Sequence, residues 1–310
     1  MTFTPYPHQT SGIDWILQHR ACALLWGMGT GKTVTTLTAL DGILHDLLED
    51  GPALVIAPKR VAENTWSKEC GKWAHLRHLR VSKVIGTLAE RNAALMTPAD
   101  IYVINRENVV WLVDLMQGWP FPIVVIDELS SFKSAQAKRW KALRRVRGRI
   151  RRIIGLTGTP AGNGLMDLWA ECYLLDGGKA LGRTVTGYRD QYFTPGRRNG
   201  MVIYDWNLRK GAHDQIMDRL KPLCISMKTE DYLSLPDMIT VERTFTLSDK
   251  SMKQYRQLER DLLLCVDGET IDAVNAAALN TKLQQISSGA VYAEAGAVKV
   301  LHDERLDALD

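Results

Sequence analysis

Six short apolar runs punctuate the first half of the chain, at residues 21–26, 53–57, 81–85, 101–104, 123–127 and 153–156. None alternates apolar with polar residues, so each is expected to be a strand buried on both faces. The stretches between them have helical spacing, as at 33–48 and 61–73. Strand, helix and strand in this repetition predict an α/β fold: a parallel sheet with helices on both faces. In such a sheet, ligands bind at the carboxyl ends of the strands.

The first run ends in Trp26, Gly27, Met28, Gly29, Thr30, Gly31, Lys32 and Thr33. Glycines at the end of a buried strand let backbone N–H groups turn inward around phosphate oxygens. The helix that follows adds the positive end of its dipole. Lys32 is placed to meet the β- and γ-phosphates, and the Thr33 hydroxyl to meet Mg²⁺. The strict form of this loop has Gly where the chain carries Trp26. The run at 123–127 ends in Asp127 and Glu128. There Asp127 would hold Mg²⁺, and Glu128 would orient and deprotonate an attacking water. A third strand end reads Leu156, Thr157, Gly158, Thr159, Pro160, whose hydroxyls would link a nucleotide site to a neighbouring surface. Near the amino terminus, Gln9 follows Pro7 and His8 and is either an adenine-recognising amide or a surface cap.

A length of 310 residues predicts two structural units. With 45% hydrophobic and 24% charged residues, the composition excludes collagen-like and disordered chains. No apolar run approaches the roughly 18–20 residues that cross a bilayer, and the amino terminus lacks the layout of a signal peptide. A cytoplasmic protein is therefore expected. The five cysteines are dispersed without metal-ligand spacing and read as reduced thiols. Net charge is +4, yet nine Lys or Arg and no acid fall between Lys138 and Arg152. Such a segment is either a phosphate-backbone contact, with Arg144 and Arg145 as candidates, or a solvated helix face. If it is helical, Lys138, Lys141 and Arg145 share one face, so only part of the cluster reaches DNA at once. Beyond about residue 176 the strand–helix repetition stops. A hairpin is expected at 194–204 and helices at 215–220 and 248–264, the last capped by Ser248. The expected division is 1–175 and 176–310.

Taken in order, these residues resemble the amino-terminal RecA-like lobe of superfamily 2 helicases, and among them the Swi/Snf-type DNA-translocating ATPases. Gln9 with Gly12, Ile13, Asp14 and Trp15 is similar to the family's adenine motif, and residues 28–33 to motif I. Val55, Ile56, Ala57, Pro58 and Lys59 resemble motif Ia, with Trp66 and Trp73 downstream. Ile104, Asn105, Arg106 and Glu107 fall where motif Ib lies, and Asp127 and Glu128 where motif II lies. Residues 156–160 continue through Asn163, Leu165, Leu168 and Trp169 as the long motif III of the Swi/Snf type. Lys228, Thr229, Glu230 and Asp231, Leu235 and Pro236, and residues 283–286 look like segments leading to a second lobe.

The resemblance implies a RecA-like P-loop NTPase domain with a mostly helical appended subdomain that carries a β-hairpin. It implies an ATP hydrolase using Mg²⁺ and acting on double-stranded DNA, in a bacterial cell or a host infected by a phage. Lys32, Asp127 and Glu128 would be catalytic, and Gln9 with residues Gly27, Met28, Gly29, Thr30, Gly31, Lys32 and Thr33 would hold the nucleotide. Thr33 and Asp127 would hold the metal. Pro58, Lys59, Asn105, Arg106, Thr159, Arg144 and Arg145 would face nucleic acid, and Thr157 and Thr159 would couple the two sites. One departure is Ser130, where the family usually has His, so coupling to DNA is expected to differ. The resemblance reaches the point where such enzymes begin a second RecA-like lobe. That lobe, with its arginine finger, is expected in cis on a longer polypeptide or in trans. Without it, turnover should fall by about 10³–10⁵. The alternative is a non-catalytic, ATP-gated DNA-binding or recruitment module.

Overall fold

The structure, a computed structural model, describes residues 1–48, 51–158, 164–199, 202–203, 205–227, 242–261, 263–266, 269–272, 276–292 and 297–309. Its frame is built in the order α1 (Pro7–Gln18), β1 (Ala21–Trp26), α2 (Lys32–Asp41), β2 (Ala53–Ala57), α3 (Lys59–Lys72), β3 (Val81–Val84) and α4 (Leu88–Met96). Then follow β4 (Ile101–Asn105), α5 (Val109–Leu115), β5 (Ile123–Asp127), α6 (Lys138–Val146), β6 (Arg152–Thr157), α7 (Leu168–Asp176) and α8 (Val185–Tyr192). An antiparallel hairpin pairs β7 (Phe193–Pro195) with β10 (Trp206–Leu208), and β8 (Arg198–Asn199) with β9 (Val202–Ile203). After it come α9 (Ala212–Leu220) and β11 (Cys224–Met227). The main sheet has seven strands in the order β11-β1-β6-β5-β2-β4-β3. All its pairings are parallel.

Five of the unalternating apolar runs follow from burial on both faces; the run at 81–85 departs from that expectation, because β3 closes one edge of the sheet and Lys83 is exposed there. Along β2, Ala53, Val55 and Ala57 join a core with Ile16 of α1, Leu37 of α2 and Trp66 of α3. Leu54 and Ile56 point the other way, into a core with Leu112 of α5, Leu143 of α6 and Leu174 of α7. Each fully buried Val, Leu or Ile contributes about 1.5–3 kcal/mol of transfer free energy. A polar residue at any of these positions would forfeit that on whichever face it occupied.

The division expected after residue 175 falls elsewhere. The compact units are Met1–Leu235 and Pro236–Asp310. The reason is β11, which lies parallel to β1 with Ala23 opposite Cys224 and so completes the first unit's sheet. Ile216 and Leu220 of α9, with Leu223, pack into the same core as α6 and α7. The second unit holds α10 (Asp249–Asp261), β12 (Leu263–Val266) paired with β13 (Glu269–Asp272), α11 (Ala276–Ser287), β14 (Ala290–Tyr292) paired with β15 (Val298–Val300), and α12 (Glu304–Asp307). Leu258, Ile271, Leu283, Ile286 and Val291 form its small core. Ser248 opens α10 as expected, its hydroxyl accepting from the Ser251 N–H at 3.3 Å. The linking residues 228–231, 235 and 236 lie outside the described residues.

Candidate nucleotide site

Three neighbouring strand ends assemble the site. In the sheet β6 lies between β1 and β5, with Leu25 opposite Thr157 and Asp127 opposite Leu156. The glycine loop after β1, Thr157 at the end of β6, and the acid pair at the end of β5 are therefore brought to one edge by strand register alone.

The loop closes through two left-handed glycines, Gly29 and Gly31, both at φ +78°. That backbone strains any residue with a Cβ. A Cβ on Gly31 would also lie 2.3 Å from Nε2 of Gln9. Trp26, which replaces the strict loop's glycine, turns its ring into the interior and is fully buried. It meets His8 edge-on at 5.5 Å between ring centres and covers Gly12, where a Cβ would sit 2.2 Å from the indole. Gly12 is thus what allows a tryptophan there. Lys32 opens α2, and its Nζ donates to the carbonyls of Trp26 and Gly27, both at 2.8 Å. Burial lowers its pKa, while the charges of Asp127 and Glu128 oppose that shift. Gln9 is fixed from both ends. Its Oε1 accepts from the Tyr6 N–H at 3.0 Å and its Nε2 donates to the Thr30 carbonyl at 3.3 Å. With Lys32, Thr33, Tyr6 and Trp73, Gln9 lines a cavity of about 390 Å³.

Asp127 accepts from the indole N–H of Trp66 at 2.9 Å. Burial pushes its carboxyl above the usual range, and the Trp66 bond and the Lys32 ammonium pull it back. Glu128 holds φ 63°, ψ 64°, a left-handed conformation that costs a non-glycine residue on the order of 1–3 kcal/mol. Its Oε1 accepts from Thr157 Oγ1 at 3.2 Å and from the Ser130 hydroxyl. The serine in the family's histidine position thus bonds the same carboxylate oxygen as the strand-end threonine. Thr159 lies outside the described residues.

The residues assigned to nucleic acid separate into two groups. Pro58 precedes α3, and exposed Lys59 stands 4.0 Å from Glu63. Pro58 neighbours Asn105 because Ala57 pairs with Asn105 across β2 and β4. Asn105 is buried, donates to Glu107 at 3.0 Å and accepts from Asn108 at 2.6 Å. Arg106 donates to Glu107 at 3.0 Å. Arg144 and Arg145 are not with this group. They occupy the last turn of α6, which leads to the start of β6 rather than to the strand ends. Arg144 lies over the rings of Trp140 and Tyr173, and Arg145 pairs with Asp114. Two other members of the basic segment are structural. Arg147 donates to the carbonyls of Leu174 and Leu175 at the end of α7. Arg152, buried, donates to those of Ile16 at 2.7 Å and His19 at 3.0 Å, closing α1.

Two residues near the acids escaped the sequence reading as parts of the site. Trp66 is the hydrogen-bond donor to Asp127, and nothing in its helical spacing marks an indole reaching a strand end. Glu171 of α7 is buried, and burial, with Asp167 and Glu128 nearby, raises its pKa from 4.5 to about 8 against the pull of Lys133.

The residues fit the two ligands that the motifs imply. The glycine cradle and Lys32 supply donors for phosphate oxygens. The Thr33 hydroxyl and the Asp127 carboxylate are hard oxygen donors suited to Mg²⁺, and a buried carboxyl gains from a cation beside it.

Comparison with known proteins identifies the fold and the family. A putative protein, p41, of the Acyrthosiphon pisum secondary endosymbiont phage 1 is 36% identical over the whole chain, which spans 69% of that protein. The helicase ssl-1 of Caenorhabditis elegans is 31% identical over 54% of the chain, which matches only 7% of ssl-1. The SWI2/SNF2 ATPase core of Sulfolobus solfataricus in complex with double-stranded DNA superposes with a TM-score of 0.60 at 22% identity. That match covers 92% of this chain and 58% of the archaeal one, and the likeness carries the RecA-like fold. The sequence profile of the SNF2-related domain matches residues 8–290, a span that takes in the glycine loop, the acid pair and the Thr157 strand end, and this chain belongs to that family.

Proposed function

We propose that the chain is the ATP-binding motor lobe of a Swi/Snf-type, ATP-dependent translocase acting on double-stranded DNA. The observation that carries the reading is the meeting of Lys32, the Asp127–Glu128 pair and Thr157 on three adjacent strand ends, with Thr157 bonded to Glu128 itself. In this reading Lys32 exchanges its two loop carbonyls for β- and γ-phosphate oxygens, and Gln9 and Tyr6 border the base. Thr33 and Asp127 hold Mg²⁺, which when bound neutralises phosphate charge. Glu128, fixed by Thr157 and Ser130, takes a proton from the attacking water. Charge developing on the γ-phosphate is met by an arginine from a second RecA-like lobe, in cis or in trans. Pro58, Lys59 and Arg106 at the neighbouring strand ends face the DNA backbone, and buried Asn105 holds Glu107 and Asn108 in place behind them. Phosphate contacts carry no sequence information, as a motor that steps along any duplex requires.

The test is phosphate release with and without duplex DNA, in the presence of the second lobe, alongside nucleotide titration. Lys32→Ala should lose nucleotide binding. Glu128→Gln should bind nucleotide normally and lose about 10²–10⁴ in turnover. Equal nucleotide affinity in Lys32→Ala and the parent would remove the loop assignment. Nucleotide-dependent DNA binding with no turnover, once the second lobe is supplied, would favour the gated, non-catalytic module.

A further inference from the structure

The helix that begins with Lys32 ends in an unusual way. After Asp41, α2 widens into a π-helical turn, Gly42–Asp46, a rare geometry that recurs at functional sites. The turn sets His45 beside Asp41, with Nε2 3.8 Å from Oδ1. From the connection between α3 and β3, His78 reaches the same carboxylate oxygen at 2.7 Å. The ligand atoms of Asp41, His45 and His78 all lie within 4.8 Å of one another. Tetrahedral Zn²⁺ ligands stand about 3.3 Å apart, given bond lengths of about 2.0–2.1 Å, and the two separations from Asp41 bracket that value.

The surroundings point the same way. Among the described residues, the ion pairs of Asp41 are with these two histidines and with no Lys or Arg. His75 stands close by, its Nε2 2.9 Å from Thr38 Oγ1, and its ring feels the charges of Asp41 and His78. Three of the chain's seven histidines thus crowd around one carboxylate. Two imidazoles and a carboxylate form a nitrogen-rich set of intermediate softness. It is poorly matched to Mg²⁺ or Ca²⁺ and well matched to Zn²⁺, which also accepts water in an open position. His45 and His78 are exposed, so the remaining position faces solvent.

We infer that Asp41, His45 and His78 form a Zn²⁺ site, separate from the nucleotide site, that ties the end of α2 to the segment before β3. It clamps the carboxyl end of the helix whose amino end carries Lys32 and Thr33. The experiment uses the full chain stripped with a chelator. Zn²⁺ is titrated in competition with a chromophoric chelator, and Co²⁺ by its visible ligand-field bands. The expected result is one ion per chain, bound at micromolar concentration or below, with affinity falling by about 100-fold in both His45→Ala and His78→Ala. His213→Ala, an exposed histidine on α9, should bind like the parent. No binding below about 1 mM, or undiminished affinity in the His45→Ala, His78→Ala double variant, would overturn the assignment.

Discussion

Glu171→Gln should make the first unit more stable, and only above about pH 4.5, by an amount that grows towards pH 8. Burial holds the Glu171 carboxyl in its protonated form, raising its pKa from 4.5 to about 8 in the folded chain. The unfolded chain releases that proton near 4.5. Below that pH both states are protonated and the full stability is present. As pH rises from 4.5 towards 8, unfolding releases a proton and stability falls, and above 8 the loss levels off. Each pKa unit is worth about 1.4 kcal/mol, so the ceiling is on the order of 5 kcal/mol. Relaxation around a buried polar group brings the realised gain to about 1–3 kcal/mol. Glutamine keeps the volume and removes the ionisation. All nine tryptophans precede residue 235, so tryptophan fluorescence in urea follows this unit. Midpoints for parent and variant should coincide at pH 4.5 and diverge up to pH 8, with the variant higher. Parallel curves across that range, or a variant weaker at pH 9, would refute the reasoning.

Gly12→Ala should cost about 1–3 kcal/mol, because its Cβ would lie 2.2 Å from a fully buried indole that has nowhere to move; chemical denaturation measures it. Trp66→Phe keeps the packing but removes the N–H bonded to Asp127, and turnover at limiting Mg²⁺ should drop by about tenfold. Lys59→Glu should flatten the salt dependence of duplex binding by about 1 for the lost phosphate contact, whereas reversing the charges of Arg144 and Arg145, in the last turn of α6 away from the strand ends, should leave the slope unchanged; the opposite pattern would move the DNA path to α6.

Five of the seven strands were legible because burial on both faces writes an uninterrupted apolar run, and the edge strand β3, with Lys83 exposed, was legible only from its valines. The missing one, β11, is an edge strand only partly covered, and Cys224, Ile225, Ser226 and Met227 do not make such a run. Its absence from the reading moved the expected division from 235 to 175. The glycine loop, the acid pair and the Thr157 strand end were legible because phosphate, metal and water each demand particular residue types at a strand end. Contacts between distant segments were not. Nothing local to Trp66 names Asp127 as its partner. Nothing in a run of arginines separates Arg147 and Arg152, which serve helix carbonyls, from Arg144 and Arg145, which lie exposed.

The place of β11 bears on how the polypeptide is made. The strand that launches the phosphate loop emerges early from the ribosome, while the partner that seals its outer side is synthesised roughly 200 residues later. Until then one side of β1 offers unpaired N–H and C=O groups, the template on which aggregates nucleate. Pairings this remote in sequence also form slowly. Expression of residues 1–175 alone would make that transient exposure permanent and yield insoluble protein, whereas carrying the chain through Met227 pairs β1 on both sides and moves the edge to the short, partly covered β11.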